Sequence, residues 1–74
     1  MRALKSCQHG KYTVGLSEDI DNEKLFVTIL YKDNLIETFD FLFHNLLEAE
    51  NFFFKMSGLF EKLNNEVEFQ KIFD

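Results

Sequence analysis

Seventy-four residues leave room for one folded unit with one core, and a composition that is 46% hydrophobic with ten Phe and two Tyr excludes a disordered chain. The lone Cys7 excludes an intrachain disulfide and fits a reducing compartment. The net charge of −5 is uneven: residues 1–32 hold five basic groups against four acids, whereas residues 33–74 hold nine acids against three Lys. An acid-rich half repels phosphate backbones, so direct nucleic-acid binding is disfavoured and basic surfaces are the natural partners.

In chain order, residues 1–10, where Cys7 and His9 alternate ahead of Gly10, are expected to be frayed. Met1, Arg2, Ala3, Leu4 and Lys5 carry charge without a following apolar segment, so no secretory signal is expected. From Lys11 to Ser17 the pattern alternates, with Tyr12, Val14 and Leu16 on one face, as in a strand. Residues 18–23 form a polar loop rich in acids. Residues 25–31 are the strongest strand, with Leu25, Val27, Ile29 and Tyr31 on one face and Phe26, Thr28 and Leu30 on the other. Lys32, Asp33 and Asn34 predict a tight turn, because Asp and Asn tolerate the left-handed backbone. Residues 35–41 return as a third strand, with Leu35, Phe39 and Phe41 sharing a side.

Near Asn45 the period changes. Leu46, Ala49, Phe53, Met56, Phe60, Leu63 and Val67 recur at intervals of three and four, and Leu47, Phe52 and Leu59 widen the stripe. The spacing predicts one long helix or two shorter ones. Gly58 weakens the middle, and Asn65 with Glu68 three residues later resembles a capping box that would start a final helix over residues 66–73, burying Val67, Phe69 and Phe73. The expected fold is α+β: a three-stranded antiparallel sheet (β-β-β) followed by helix packed on one face, with one domain over residues 1–74. No apolar run reaches the roughly 20 residues of a membrane span.

Chemistry finds little support. Cys7, His9 and His44 lack the spacing of a nucleophile with its base, or of a metal site. Asp19, Asp21 and Glu23 alternate like the opening of a calcium loop, but the sixth and twelfth positions are Lys24 and Leu30 instead of Gly and Glu. Gly10, Gly15 and Gly58 make no phosphate-cradling loop, so no cofactor is expected. Two binding surfaces remain. Phe26, Leu30 and Ile36, opposite the expected core, are candidates for an apolar or homodimer contact, and the helix outruns the strands in length. The exposed acids suit a basic protein groove, where carboxylates stand in for phosphates and charge complementarity sets orientation.

The run Lys11-Tyr12-Thr13-Val14-Gly15-Leu16-Ser17, the acidic loop, two further strands, the Phe-rich helix and the closing Glu66-Val67-Glu68-Phe69 resemble small acidic phage anti-CRISPR proteins that inhibit Cas9. The resemblance covers residues 11–73 in order of elements. It implies a non-catalytic inhibitor that presents acids to a basic DNA-reading cleft, acting in the bacterial cytoplasm. Glu18, Asp19, Asp21 and Glu23, with Asp33 and Glu37 near the hairpin, are the residues it implicates. The sequence departs from that family at the front, where residues 1–10 are too short for the family's N-terminal helix.

Overall fold

The computed structural model describes the backbone of residues 1–73 and the side chains of residues 1–63. The order of elements is β1 (Arg2–His9), β2 (Tyr12–Asp19), β3 (Lys24–Tyr31), β4 (Asn34–Leu42), a 3₁₀ turn (Phe43–Asn45) and α1 (Leu46–Phe73). The sheet is an antiparallel meander in sequence order, β1-β2-β3-β4, with the helix on one face. The α+β class is as expected, but the sheet has four strands, not three.

The fourth strand is the segment expected to fray. β1 pairs with β2 from Arg2 opposite Glu18 to His9 opposite Tyr12, and the register shifts between Ala3 and Lys5. That shift is a bulge at Leu4. It lets Leu4 and Cys7, an odd number of residues apart, both pack against the core. Alternation, the signal by which a strand is recognised, is thereby broken in the sequence.

The hairpins follow turn chemistry. Gly10 takes φ 63° at the first central position of the β1–β2 turn, where a residue with a Cβ is disfavoured. Lys32 and Asp33 have φ 51° and 66°, so both central residues of the two-residue β3–β4 turn are left-handed, as a type I′ hairpin requires. Backbone N–H of Lys32 donates to the carbonyl of Lys11 at 2.9 Å, tying these two turns side by side at one end of the sheet.

A second bulge corrects the expected faces of β4. Ile29 lies opposite Glu37 but Leu30 lies opposite Leu35, leaving Ile36 unopposed. Phe39 and Phe41 pack toward the helix as expected. Leu35 instead shares the outer face with Leu30, and Ile36, expected to face outward beside Leu30, is the exposed bulge residue. Both edge strands therefore carry a bulge, which discourages further strands from adding to the sheet.

The core consists of Val14, Leu16, Leu25, Val27, Ala49 and Phe53, with Phe39, Phe41, Phe52, Met56 and Phe60 packed around it. Aromatic pairs extend it lengthwise. Phe52 meets Phe39 edge-on at 4.8 Å between centroids, and Phe60 lies 4.7 Å from Tyr12 at the other end. The helix is continuous through Gly58 and across Asn64 and Asn65, so the expected capping-box break is not a break. The expected burial of Val67, Phe69 and Phe73 falls outside the described side chains. Apart from its chain neighbours and the backbone of its own helical turns, no atom among the described residues lies within 4 Å of the position a Cβ would occupy on Gly58. Gly58→Ala is therefore expected to raise stability by about 0.5–1 kcal/mol, read as a higher urea midpoint with unchanged slope.

Candidate protein-binding surface

The antiparallel meander sorts the sequence-predicted acids by end. β2 runs away from the Gly10 turn and β3 returns, so the β2–β3 loop lies at the opposite end from Lys32 and Asp33. An eight-residue strand spans about 26 Å, which is the separation of the two groups. Asp19, Asp21 and Glu23 gather at one end. Asp33 lies at the other with Lys11 and Lys32, and Glu37 opposes Ile29 part-way along β4. The six predicted acids do not form one surface.

Glu18 has a different place. Alternation along β2 puts it on the same face as Tyr12, Val14 and Leu16, beneath the helix, and it is 7% exposed. The guanidinium of Arg2 meets its Oε1 at 2.5 Å. Among the described residues that oxygen has no aligned hydrogen bond, so the contact is one of charge. Glu18 is thus engaged within the fold and closed to a partner. Extending the Tyr12, Val14, Leu16 series by two residues would have shown this.

The backbone of the remaining loop is held in place, and of its acids the Asp19 carboxylate is hydrogen-bonded. Asn22 Nδ2 donates to Asp19 Oδ2 at 2.7 Å, the N–H of Glu23 donates to the carbonyl of Ile20 at 3.2 Å, and the N–H of Phe43 donates to the carbonyl of Glu23 at 3.1 Å. The last bond fastens the loop to the 3₁₀ turn that leads into the helix. Glu23 itself takes φ 54°. The hydrogen bond from Asn22 holds the Asp19 carboxyl below its ordinary range, so Asp19 is charged at neutral and mildly acidic pH. Asp21 and Glu23 are exposed, and exposed Asp40 and Glu48 approach the same end from β4 and from the first turn of α1. Glu48 is also well placed for the positive end of the helix dipole. Of the basic groups at this end, Arg2 is committed to Glu18, and Lys24 sits opposite Asp19 in the β2–β3 register.

Comparison with protein-family models, with curated proteins and with solved structures gives no match. The surface has to be read from its own geometry.

Apolar residues interrupt the acids in a way the sequence reading did not anticipate. Ile20, Leu42, Phe43, Leu46 and Leu47 are between 43% and 71% exposed. Phe43 is joined to the acidic loop by its backbone hydrogen bond to Glu23, and Leu42 opposes Lys24 in the sheet. Phe43 and Leu47 are four residues apart at the helix start. The sequence signal was available: Leu46 and Leu47 are adjacent, and one face of a helix cannot bury both equally.

The two histidines weighed for chemistry are kept apart. His9 ends β1 opposite Tyr12, whereas His44 follows β4 at the other end of the sheet. Among the described residues no group of three His, Cys, Asp or Glu side chains is placed to hold a metal. The fold does make one unforeseen pair. His9 Nε2 and Ser57 Oγ are hydrogen-bonded at 2.8 Å, and Ser57 is buried on the helix. No carboxylate hydrogen bond orients the His9 ring among the described residues, and the pair joins helix to edge strand as a polar contact within the packing. Among the same residues, no helix is long and apolar enough to cross a membrane.

Proposed function

We propose that this chain is a non-catalytic protein-binding inhibitor of phage or mobile-element type, whose acidic end blocks a basic nucleic-acid-binding surface on a host protein. The observation that supports this reading is the fastened β2–β3 loop. It presents Asp19, Asp21 and Glu23 within five residues, held by three backbone or side-chain hydrogen bonds. A loop whose backbone is ordered before binding loses less entropy on association than a mobile one. Asp33 and Glu37, at a distance from the loop, are outside this surface, and Glu18 lies beneath it.

The test compares the chain with the double variant Asp21→Asn/Glu23→Gln, each immobilised and exposed to bacterial lysate at low salt. A protein captured through the loop is expected to leave the variant at clearly lower ionic strength, because two of the contributing charges are gone. Added intact chain is then expected to displace nucleic acid from that captured protein. Identical elution from both forms would refute the charge-mimic reading.

A second reading is an adaptor that homodimerises or binds a partner through the helix. It is favoured by Leu59 and Leu63, exposed one turn apart, which form an open groove with Met56, Phe60 and Lys62. Association through that groove would persist at high salt.

A further inference from the structure

The helix is longer than the sheet it covers. Phe60 packs on Tyr12, and Tyr12 belongs to the last row of the sheet, His9-Tyr12-Tyr31-Asn34, beyond which come only the two turns. Residues 61–73 are still helical, and at about 1.5 Å per residue they carry α1 roughly 20 Å past that row. The dimensions agree. The chain is 49 Å long and 22 Å by 15 Å across, whereas an eight-residue strand accounts for about 26 Å of that length. Among the described residues no strand or second helix runs beside the overhang. Its sequence nevertheless includes Val67, Phe69, Ile72 and Phe73, and a helix in water owes most of its stability to the packing of an apolar face.

The groove of Met56, Leu59, Phe60, Lys62 and Leu63 lies at the root of this overhang. Lys55 stands on the same side of the helix, four residues before Leu59 and seven before Lys62, so two exposed cations follow the groove. Glu61 is elsewhere, one turn beyond Ser57 on the flank that meets His9. The segment after the groove, residues 64–73, carries Glu66 and Glu68 against Lys71.

We infer that two copies of this chain pair through α1, antiparallel about a two-fold axis near Leu63, with the overhang of each lying along the groove of the other. This rests on the second reading above and specifies its contact. The lengths match, since residues 64–73 span about 15 Å and residues 55–63 about 13 Å. Antiparallel pairing sets the acid-bearing stretch against the Lys55 and Lys62 rim twice over, whereas parallel pairing would set each Lys against its own copy. Such a contact is self-complementary, as a two-fold interface must be. A continuous helix cannot lay its overhang on its own groove, so the occupant has to come from another molecule. The Asp19 to Glu23 loop lies at the opposite end of the sheet and stays clear of the contact in both copies.

Sedimentation velocity over a range of concentrations is the test, with thermal melts showing that each variant is folded. The intact chain is expected to show a monomer–dimer equilibrium. Leu59→Asp, at a half-exposed position, should weaken it about tenfold or more. Lys55→Glu/Lys62→Glu and Glu66→Lys/Glu68→Lys should each weaken it about tenfold, and an equimolar mixture of the two should recover a heterodimer. Mild oxidation reads the orientation, with the intact chain and its Cys7 as the blank. Leu63→Cys, beside the axis, should cross-link to its copy. Leu59→Cys should not, because antiparallel copies of that position are about 13 Å apart along the axis, beyond the roughly 7 Å a disulfide can span. Equal trapping at both positions, or a mixture that fails to associate, overturns the inference. A dimer indifferent to Leu59→Asp also overturns it and leaves homodimerisation through another surface. A chain that is monomeric at every concentration overturns both the inference and the homodimer it rests on.

Discussion

Phe53→Ala is expected to lower stability by about 3–5 kcal/mol, which is most of what a domain of this size possesses. Phe53 is 1% exposed and belongs to the cluster of Val14, Leu16, Leu25, Val27 and Ala49. The loss combines the transfer free energy of the ring with the cavity it leaves between helix and sheet, where strands on one side and the helix backbone on the other limit collapse. Phe54, the next residue, supplies the control. It is mostly exposed, its ring touches Phe53 and lies under the ammonium of Lys5, and Phe54→Ala is expected to cost about 1 kcal/mol or less. Urea titrations of the two variants should therefore separate widely. Similar midpoints for Phe53→Ala and Phe54→Ala would show that the helix packs on the sheet through a different face.

Removal of residues 2–9 is expected to abolish cooperative unfolding altogether. β1 covers the open edge of β2, and its Leu4 and Cys7 pack on the same core as Val14 and Leu16. Its loss also frees Glu18 of Arg2, leaving a buried carboxylate without its counter-charge. A frayed segment would instead be dispensable. Amide exchange distinguishes the cases in the intact chain: slow exchange at the β1 amides that bond to β2, comparable with that in β2, is the expected result. Rapid exchange along the whole of residues 2–9, with a truncated chain that still melts sharply, would contradict the four-stranded sheet.

The difference between what the sequence disclosed and what it hid lies in periodicity. β2 and β3 alternate without interruption, and Val14, Leu16, Leu25, Val27 and Ile29 were legible as one buried face. The helix start was legible because the spacing changes from two to three and four near Asn45. β1 was not legible, since the bulge at Leu4 changes the parity within a strand only eight residues long. The bulge at Ile36 did the same to β4, and strict alternation placed Leu35 on the wrong face. A bulge depends on how two strands fit together, and one strand's residues alone do not announce it.

The acids were legible as residue types but not as a surface. Which of them share an end depends on strand order and direction. The meander separates Asp33 from Asp21 by the length of a strand, although they are only twelve positions apart in the chain. Glu18 was misassigned for a local reason, because the strand continues two residues beyond Ser17 and carries the carboxylate under the helix. That the acidic loop is fastened to the residues entering the helix emerges only when loop and strand end are brought together by the N–H of Phe43 and the carbonyl of Glu23.

The order of strands in the sheet has a consequence for synthesis. Because β1, β2, β3 and β4 are neighbours in space in the order in which they are translated, each can pair with its predecessor as it leaves the ribosome. The helix is made after the sheet, and Ala49 and Phe53, which close the core, follow all four strands. For an interval the nascent chain presents Val14, Leu16, Leu25 and Val27 as an open greasy sheet with nothing over it, and this is the moment at which it is most exposed to chaperones and to aggregation.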